Sequence, residues 1–221
     1  MKLPTPHTAE YRKLLPNKPR VLRGPRLPKP VDAPVITTPR LRLRPYTMDD
    51  FHPWLRMHRQ RDTTAYLRWP DDDLAAIREH LRSRTRQTRL WQADDFLALA
   101  IEVDGEYAGE VSLHLRSVRA GTRMVEAGWV LERRFTGRGL AAEAAAALLE
   151  FAFHTVGARI AIAVIDAENV ASIALAERLG FQQASAGEGE RTYALLATQP
   201  TTGRLARAIR RGTAARSASA R

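Results

Sequence analysis

The chain has 221 residues, 44% hydrophobic and 27% charged, with a formal charge of +11 and no cysteine. Absent cysteine excludes a disulfide framework, Cys-ligated metal and Cys-based catalysis, and it fits a reducing cytosol. No apolar run approaches the roughly 18 residues of a membrane span, and the N-terminus lacks an apolar signal core, so a cytoplasmic protein is predicted.

The charge belongs to the ends. Residues 1–33 hold eight Lys and Arg against Glu10 and Asp32, and residues 200–221 hold six Arg and no acid, whereas 21 Arg face 22 acids between them. Such ends suit RNA, DNA or another acidic surface, or they are solvated tails, since no aromatic stacking platform accompanies them.

Residues 1–34 are proline-rich and basic. Proline blocks regular ladders, so this stretch reads as an extended arm. "RLRLRP" (40–45) alternates with period two, a strand pattern. A helix follows with Thr47 as its cap, and a second is expected over about 71–89, with Arg78, Arg82, Arg86 and Arg89 on one solvated side. Strands are expected at 96–103 and 107–115, joined at Asp104-Gly105, a strong hairpin signal. Another is expected at 122–131. A helix over about 139–156, a buried strand at 159–165 and a helix from Asn169 to Gly180 follow, and a hairpin around 187–189 closes the pattern. The order β-α-α-β-β-β-α-β-α-β-β describes one mixed α/β domain over about residues 35–199, with a basic tail at 200–221. His52, His58, His80, His114 and His154 show no paired spacing, so no metal site is predicted.

The chemistry concentrates in "RFTGRGLAAEAAAALLEF" (134–151), a glycine turn entering an Ala-rich helix. Glycines there let backbone N–H groups close on a phosphate, and the helix dipole adds positive charge. A P-loop would need Lys-Ser or Lys-Thr after its second glycine, where Leu140-Ala141 stand. Gly137, Gly139 and Ala142 match a dinucleotide fingerprint formally, with Asp166 beyond. That motif starts on the end of a buried strand, however, and here the strand ends near Leu131. Arg-x-x-Gly-x-Gly, from Arg134 to Gly139, remains.

"VEAGWVLERRFTGRGLAAEAAAALLEFAF" followed by "NVASIALAERLGF" resembles the GCN5-related N-acetyltransferases. It is most similar to the RimJ/RimL-like branch, which acetylates N-terminal amines of ribosomal proteins. The resemblance extends over about residues 35–198 and takes in "TPRLRLRPYTMDD". It implies a mixed, mostly antiparallel sheet flanked by helices, with acetyl-CoA as co-substrate in a V-shaped gap between the strands at 122–131 and 159–165. It also implies an amine acceptor, and a monomer or homodimer.

On this resemblance Trp129, Val130 and Leu131 contact the pantetheine arm. Arg134, Phe135, Thr136, Gly137, Arg138, Gly139, Leu140 and Ala141 form the pyrophosphate loop, its N–H groups from about Phe135 onward doing the binding. The backbone N–H near Val130 polarises the thioester carbonyl. Glu126 is the candidate base, acting through water. Ser172 assists the leaving thiolate, because Ala176 stands where many relatives carry Tyr. Asn169 holds pantetheine or caps its helix. Glu188 and Glu190 are further acids in the region. An α-amine needs little help to deprotonate, its pKa being about 7.7–8.0 against about 10.4 for lysine. Three functions stand at this point: acetylation of a protein or peptide N-terminus, acetylation of a small-molecule amine, and non-catalytic acyl-CoA binding or docking to RNA or the ribosome.

Overall fold

The computed structural model describes residues 24–67 and 73–197. Most of the basic N-terminal arm and the whole C-terminal tail lie outside the described residues, as does the RNA-binding role considered for them.

The strands are β1 (Arg26–Asp32), β2 (Ile36–Thr37), β3 (Arg42–Pro45), β4 (Arg89–Gln92), β5 (Phe96–Val103), β6 (Glu106–Ser117), β7 (Met124–Leu131), β8 (Ile160–Asp166), β9 (Gln182–Ala186) and β10 (Glu190–Leu196). Eight of them form one sheet in the order β2-β3-β5-β6-β7-β8-β10-β9. Every pairing in it is antiparallel except β7 with β8. The helices are α1 (Phe51–His58), α2 (Arg61–Thr64), α3 (Leu74–Arg86), α4 (Leu140–Phe151) and α5 (Val170–Arg178).

The central sheet is covered on both faces, and "FLALAIEV" shows how. Leu97, Leu99 and Ile101 project into the larger core, which α4 completes. Ala98 and Ala100 project to the other face, against Tyr46, Trp54, Met57, Ile77 and Leu81. Small residues there let α1 and α3 lie close to the sheet. A polar frame holds this second layer. Arg44 grips Asp50 with two bonds of 2.7 and 2.8 Å and Glu102 at 2.6 Å. Tyr46 and Tyr107 share their hydroxyls at 3.1 Å. Arg84 of α3 donates to buried Glu110 of β6 at 3.0 Å. Burial pushes the Glu110 carboxyl up, and Arg84 opposes that shift.

Asp104 (φ 52°) and Gly105 (φ 82°) make the expected β5–β6 turn. The Ala-rich α4 lies nearly buried, because alanines give it a narrow profile. Its expected length to residue 156 includes a π-turn, Ala152–Val156, which Gly157 ends. Asn169 caps α5, its Oδ1 accepting Ser172 N–H at 3.0 Å, and Gly180 ends it at φ 95°.

Two expectations are corrected. Proline content predicts an arm free of ladders up to residue 34, yet β1 pairs antiparallel with β4. The register runs from Arg26 straight to Val31, passing over Pro28 and Pro30, which have no N–H to donate. The sequence pattern predicts the second helix over about 71–89, but α3 ends at Arg86 and residues 89–92 are a strand. Leu90 of this strand is fully buried in the larger core, and that insertion outweighs the helical propensity of the arginines.

Candidate active site

β7 and β8 run side by side only at Met124–Ile160, Val125–Ala161 and Glu126–Ile162. Beyond Glu126 they part. The wedge opens between the C-terminal halves of both strands, facing the start of α4 and the first turn of α5. A cavity of about 650 Å³ occupies it.

The cavity brings together most of the residues singled out from sequence. Trp129, Val130 and Leu131 line it from β7. Phe135, Thr136, Gly137, Gly139, Leu140 and Ala141 line it from the loop, and Asn169 and Ser172 from α5. Gly137 and Gly139 both lie in the left-handed region, at φ 74° and 77°, where a Cβ costs roughly 1–2 kcal/mol. A Cβ on Gly137 would meet no atom within 4 Å, so the loop there faces open space. Gly139 precedes α4, whose first helical bond is Glu143 N–H to Gly139 O, 3.2 Å. The N–H groups of Leu140, Ala141 and Ala142 therefore begin the helix with no i−4 acceptor. Two left-handed glycines and these N–H groups form a cradle that fits a diphosphate.

The cradle is shorter than expected. Phe135 N–H bonds Glu132 O at 2.9 Å and Thr136 N–H bonds Arg133 O at 3.1 Å, so these two amides close the preceding turn. The arginines also differ. Arg134 turns away from the cavity to Glu132 at 2.9 Å and Glu106 at 2.7 Å, its guanidinium over Phe135. The Arg138 side chain does not line the cavity; its carbonyl accepts from Arg40 Nη1 at 2.9 Å.

Backbone phase corrects the role given to Val130. Glu132 N–H points at β6, bonding Ala108 O at 2.8 Å. Antiparallel ladders alternate, and Glu110 stands opposite Val130 two residues earlier, so the Val130 amide is also directed at β6. The amides facing the wedge are those of Trp129 and Leu131. The Val130 side chain lines the cavity while packing on the second cluster.

Glu126 is not among the cavity-lining residues. It sits where β7 and β8 still pair, and Arg116 holds it with contacts of 2.8 and 2.9 Å. It lies four residue steps along the strand from Val130, roughly 13 Å. Ser172, by contrast, is at the site. Its Oγ accepts from Trp129 Nε1 at 3.3 Å, a bond joining α5 to β7 across the wedge. Glu188 and Glu190 flank the β9–β10 turn and do not line the cavity.

Other lining residues escaped the sequence reading. Ala171, Leu175 and Arg178 stand with Ser172 at spacings that one face of α5 presents, so helical periodicity could have found them. Arg133 and Ala142 complete the lining, and Asp62, Thr63, Tyr66 and Leu67 form a further wall. This strap is tied to both sides of the wedge, through Asp62 to Arg133 at 2.7 Å and through Tyr66 Oη to Glu168 O at 3.5 Å. No motif marks it. Among the described residues, no cluster of His, Asp or Glu has the arrangement of a metal site, and no helix is long and apolar enough to cross a membrane.

Comparison with known proteins agrees with this geometry. The family model described as the acetyltransferase (GNAT) domain matches residues 40–182. The uncharacterized protein YkkB of Bacillus subtilis is 32% identical over 155 residues, 66% of this chain and 83% of its own. Among solved structures, Mycobacterium smegmatis RimJ in complex with CoA-disulfide superimposes with a TM-score of 0.61 at 22% identity, covering 78% of this chain and 89% of its own. RimL, the ribosomal L7/L12 α-N-protein acetyltransferase in complex with coenzyme A, gives 0.58 at 20% identity over 75% of this chain and 98% of its own.

Proposed function

The chain belongs to the acetyltransferase (GNAT) family and is an acetyl-CoA-dependent acetyltransferase, and from that premise we propose that its acceptor is a primary amine, the α-amine of a protein or peptide N-terminus. The wedge between β7 and β8, with the Gly137–Gly139 cradle at its mouth, carries the donor side of this reading. Acetyl-CoA supplies the acetyl group as a thioester. The chain supplies the N–H groups after Gly137 for the diphosphate and the Trp129 and Leu131 amides along the wedge. The Ser172 hydroxyl, oriented by the Trp129 indole, is placed to donate to a departing thiolate. Transfer is direct, since positioning accounts for the rate and no enzyme nucleophile is needed.

Two points favour an α-amine. RimL, a ribosomal L7/L12 α-N-protein acetyltransferase, shares the fold. The carboxylate that the described residues bring to the cavity is Asp62, already paired with Arg133. An α-amine, with a pKa of about 7.7–8.0, is roughly a quarter to two-fifths neutral near pH 7.5 and makes small demands on a base. The test is a release assay for free CoA over a panel of peptides with free N-termini, the same peptides with blocked N-termini, and small amines. The expected result is release with free-N-terminus peptides alone. Turnover restricted to small amines assigns the acceptor to them instead. A wild-type protein that acetyl-CoA does not stabilise thermally removes the donor reading altogether.

A further inference from the structure

We propose that Arg40, remote in sequence from the glycine loop, is a positioning residue that holds this loop in its anion-binding form by screening Glu143 and tethering Arg138. This rests on the acetyl-CoA reading of the cradle. Glu143 lies one turn into α4 and is 95% buried at its side chain. A carboxylate so close to a diphosphate cradle opposes anion binding unless its charge is met locally. The β2–β3 turn meets it. Thr38 Oγ1 donates to Glu143 Oε1 at 2.6 Å, Arg40 N–H to the same oxygen at 3.1 Å, and Arg40 Nε and Nη2 reach Oε2, each at 2.7 Å.

The other arm of the same guanidinium acts on the loop. Arg40 Nη1 donates to Arg138 O at 2.9 Å, between the two left-handed glycines. Holding that carbonyl outward fixes the peptide plane whose opposite side is the Gly139 N–H. Arg40 Nη2 also lies 3.6 Å from where a Gly139 Cβ would stand, so the guanidinium backs the loop. The planar fork of arginine can serve a carboxylate and a carbonyl together, which the point charge of lysine does less well. Arg40 itself is about half exposed, with 47% of its side-chain surface accessible, so replacing it leaves no buried void.

The test is calorimetric titration of the wild type, Arg40→Ala, Arg40→Lys and the double variant Arg40→Ala/Glu143→Gln with CoA and with dephospho-CoA, which retains the diphosphate and lacks the 3′-phosphate. Arg40→Ala is expected to weaken both ligands by the same factor, about tenfold or about 1.4 kcal/mol. Arg40→Lys should fall between Arg40→Ala and wild type. The double variant should bind more tightly than Arg40→Ala alone, because the unscreened negative charge has gone. Undiminished binding by Arg40→Ala overturns the proposal. So does a loss confined to CoA, which would make Arg40 a direct contact of the 3′-phosphate, or a double variant weaker than the single one. A wild type that binds neither ligand overturns the donor reading and this proposal with it, a result distinct from the other three.

Discussion

Replacing Gly109 by alanine probes the strand that carries the donor site without touching the cavity. Gly109 of β6 stands opposite Leu131 of β7. A Cβ there would lie 2.1 Å from Val130 O, 2.8 Å from Leu131 Cα and 3.0 Å from Leu131 Cδ2. Carbon and oxygen in non-bonded contact sit about 3.3 Å apart or more, so β6 and β7 must separate by roughly 1 Å. The obstacle is backbone in mid-sheet, and the adjacent Glu132–Ala108 bond of 2.8 Å is strained with it. The cost belongs at the upper end of overpacking, about 3 kcal/mol, a large share of the ~5–15 kcal/mol of a folded domain. Thermal unfolding should move down by about 6–12 °C, and urea denaturation should give the free-energy loss directly. The displaced segment bears Trp129 and Leu131, so the thermal stabilisation conferred by acetyl-CoA should shrink as well. A loss below about 1 kcal/mol would show that β7 yields freely at Val130 and would refute the reasoning.

Gly137→Glu should abolish stabilisation by acetyl-CoA, because it places a carboxylate at the cradle and a side chain at φ 74°; a retained thermal shift would move the diphosphate elsewhere. Ser172→Ala should lower turnover by about tenfold or more while changing acetyl-CoA affinity less, as read from single-turnover rates against titrated Kd; an unchanged rate removes the hydroxyl from the chemistry. Burial first, then the charges of Arg84 and His58, hold the His80 imidazole down at about 3. The native state thus keeps His80 neutral while the unfolded chain protonates it near 6.5. Its contribution to stability is present in full above about pH 6.5 and is lost as pH falls toward 3, by at most about 1.4 kcal/mol per unit. His80→Phe should flatten the urea-measured stability profile between pH 6.5 and 4.5, and an unaltered slope would refute the assignment.

The strand alternation, the Asp104-Gly105 turn, the Asn169 cap and the glycine loop were legible in sequence because each is set by neighbours a few residues away. What escaped depends on distant partners. Period-two patterning places Glu126 and Val130 on one face of β7, but it is silent on where β8 diverges. That divergence leaves Glu126 on the paired side of the wedge. Ladder phase, fixed by Glu132 and Ala108, decides which amides face the opening, and residue type carries no trace of it. Arg134 falls inside the loop motif, yet Glu106, remote in sequence on β6, joins its neighbour Glu132 in drawing the guanidinium off the cavity. Arg40 and Glu143 meet across 103 residues, and nothing near either predicts the contact. The β1–β4 pair was hidden by prolines that the register steps over.

The parting of β7 from β8 has a consequence for what kind of molecule the wedge admits. Sheets ordinarily keep exposed ladder groups at their rims, where they invite unwanted pairing. This one carries a rim in its interior, screened from other proteins by α5 and the strap yet open to a slender guest. Whatever lies along it is read through main-chain amides and carbonyls more than through side chains. The wedge part of the donor site is therefore encoded in strand geometry, and it depends on where β8 leaves β7 more than on the side chains that β7 carries.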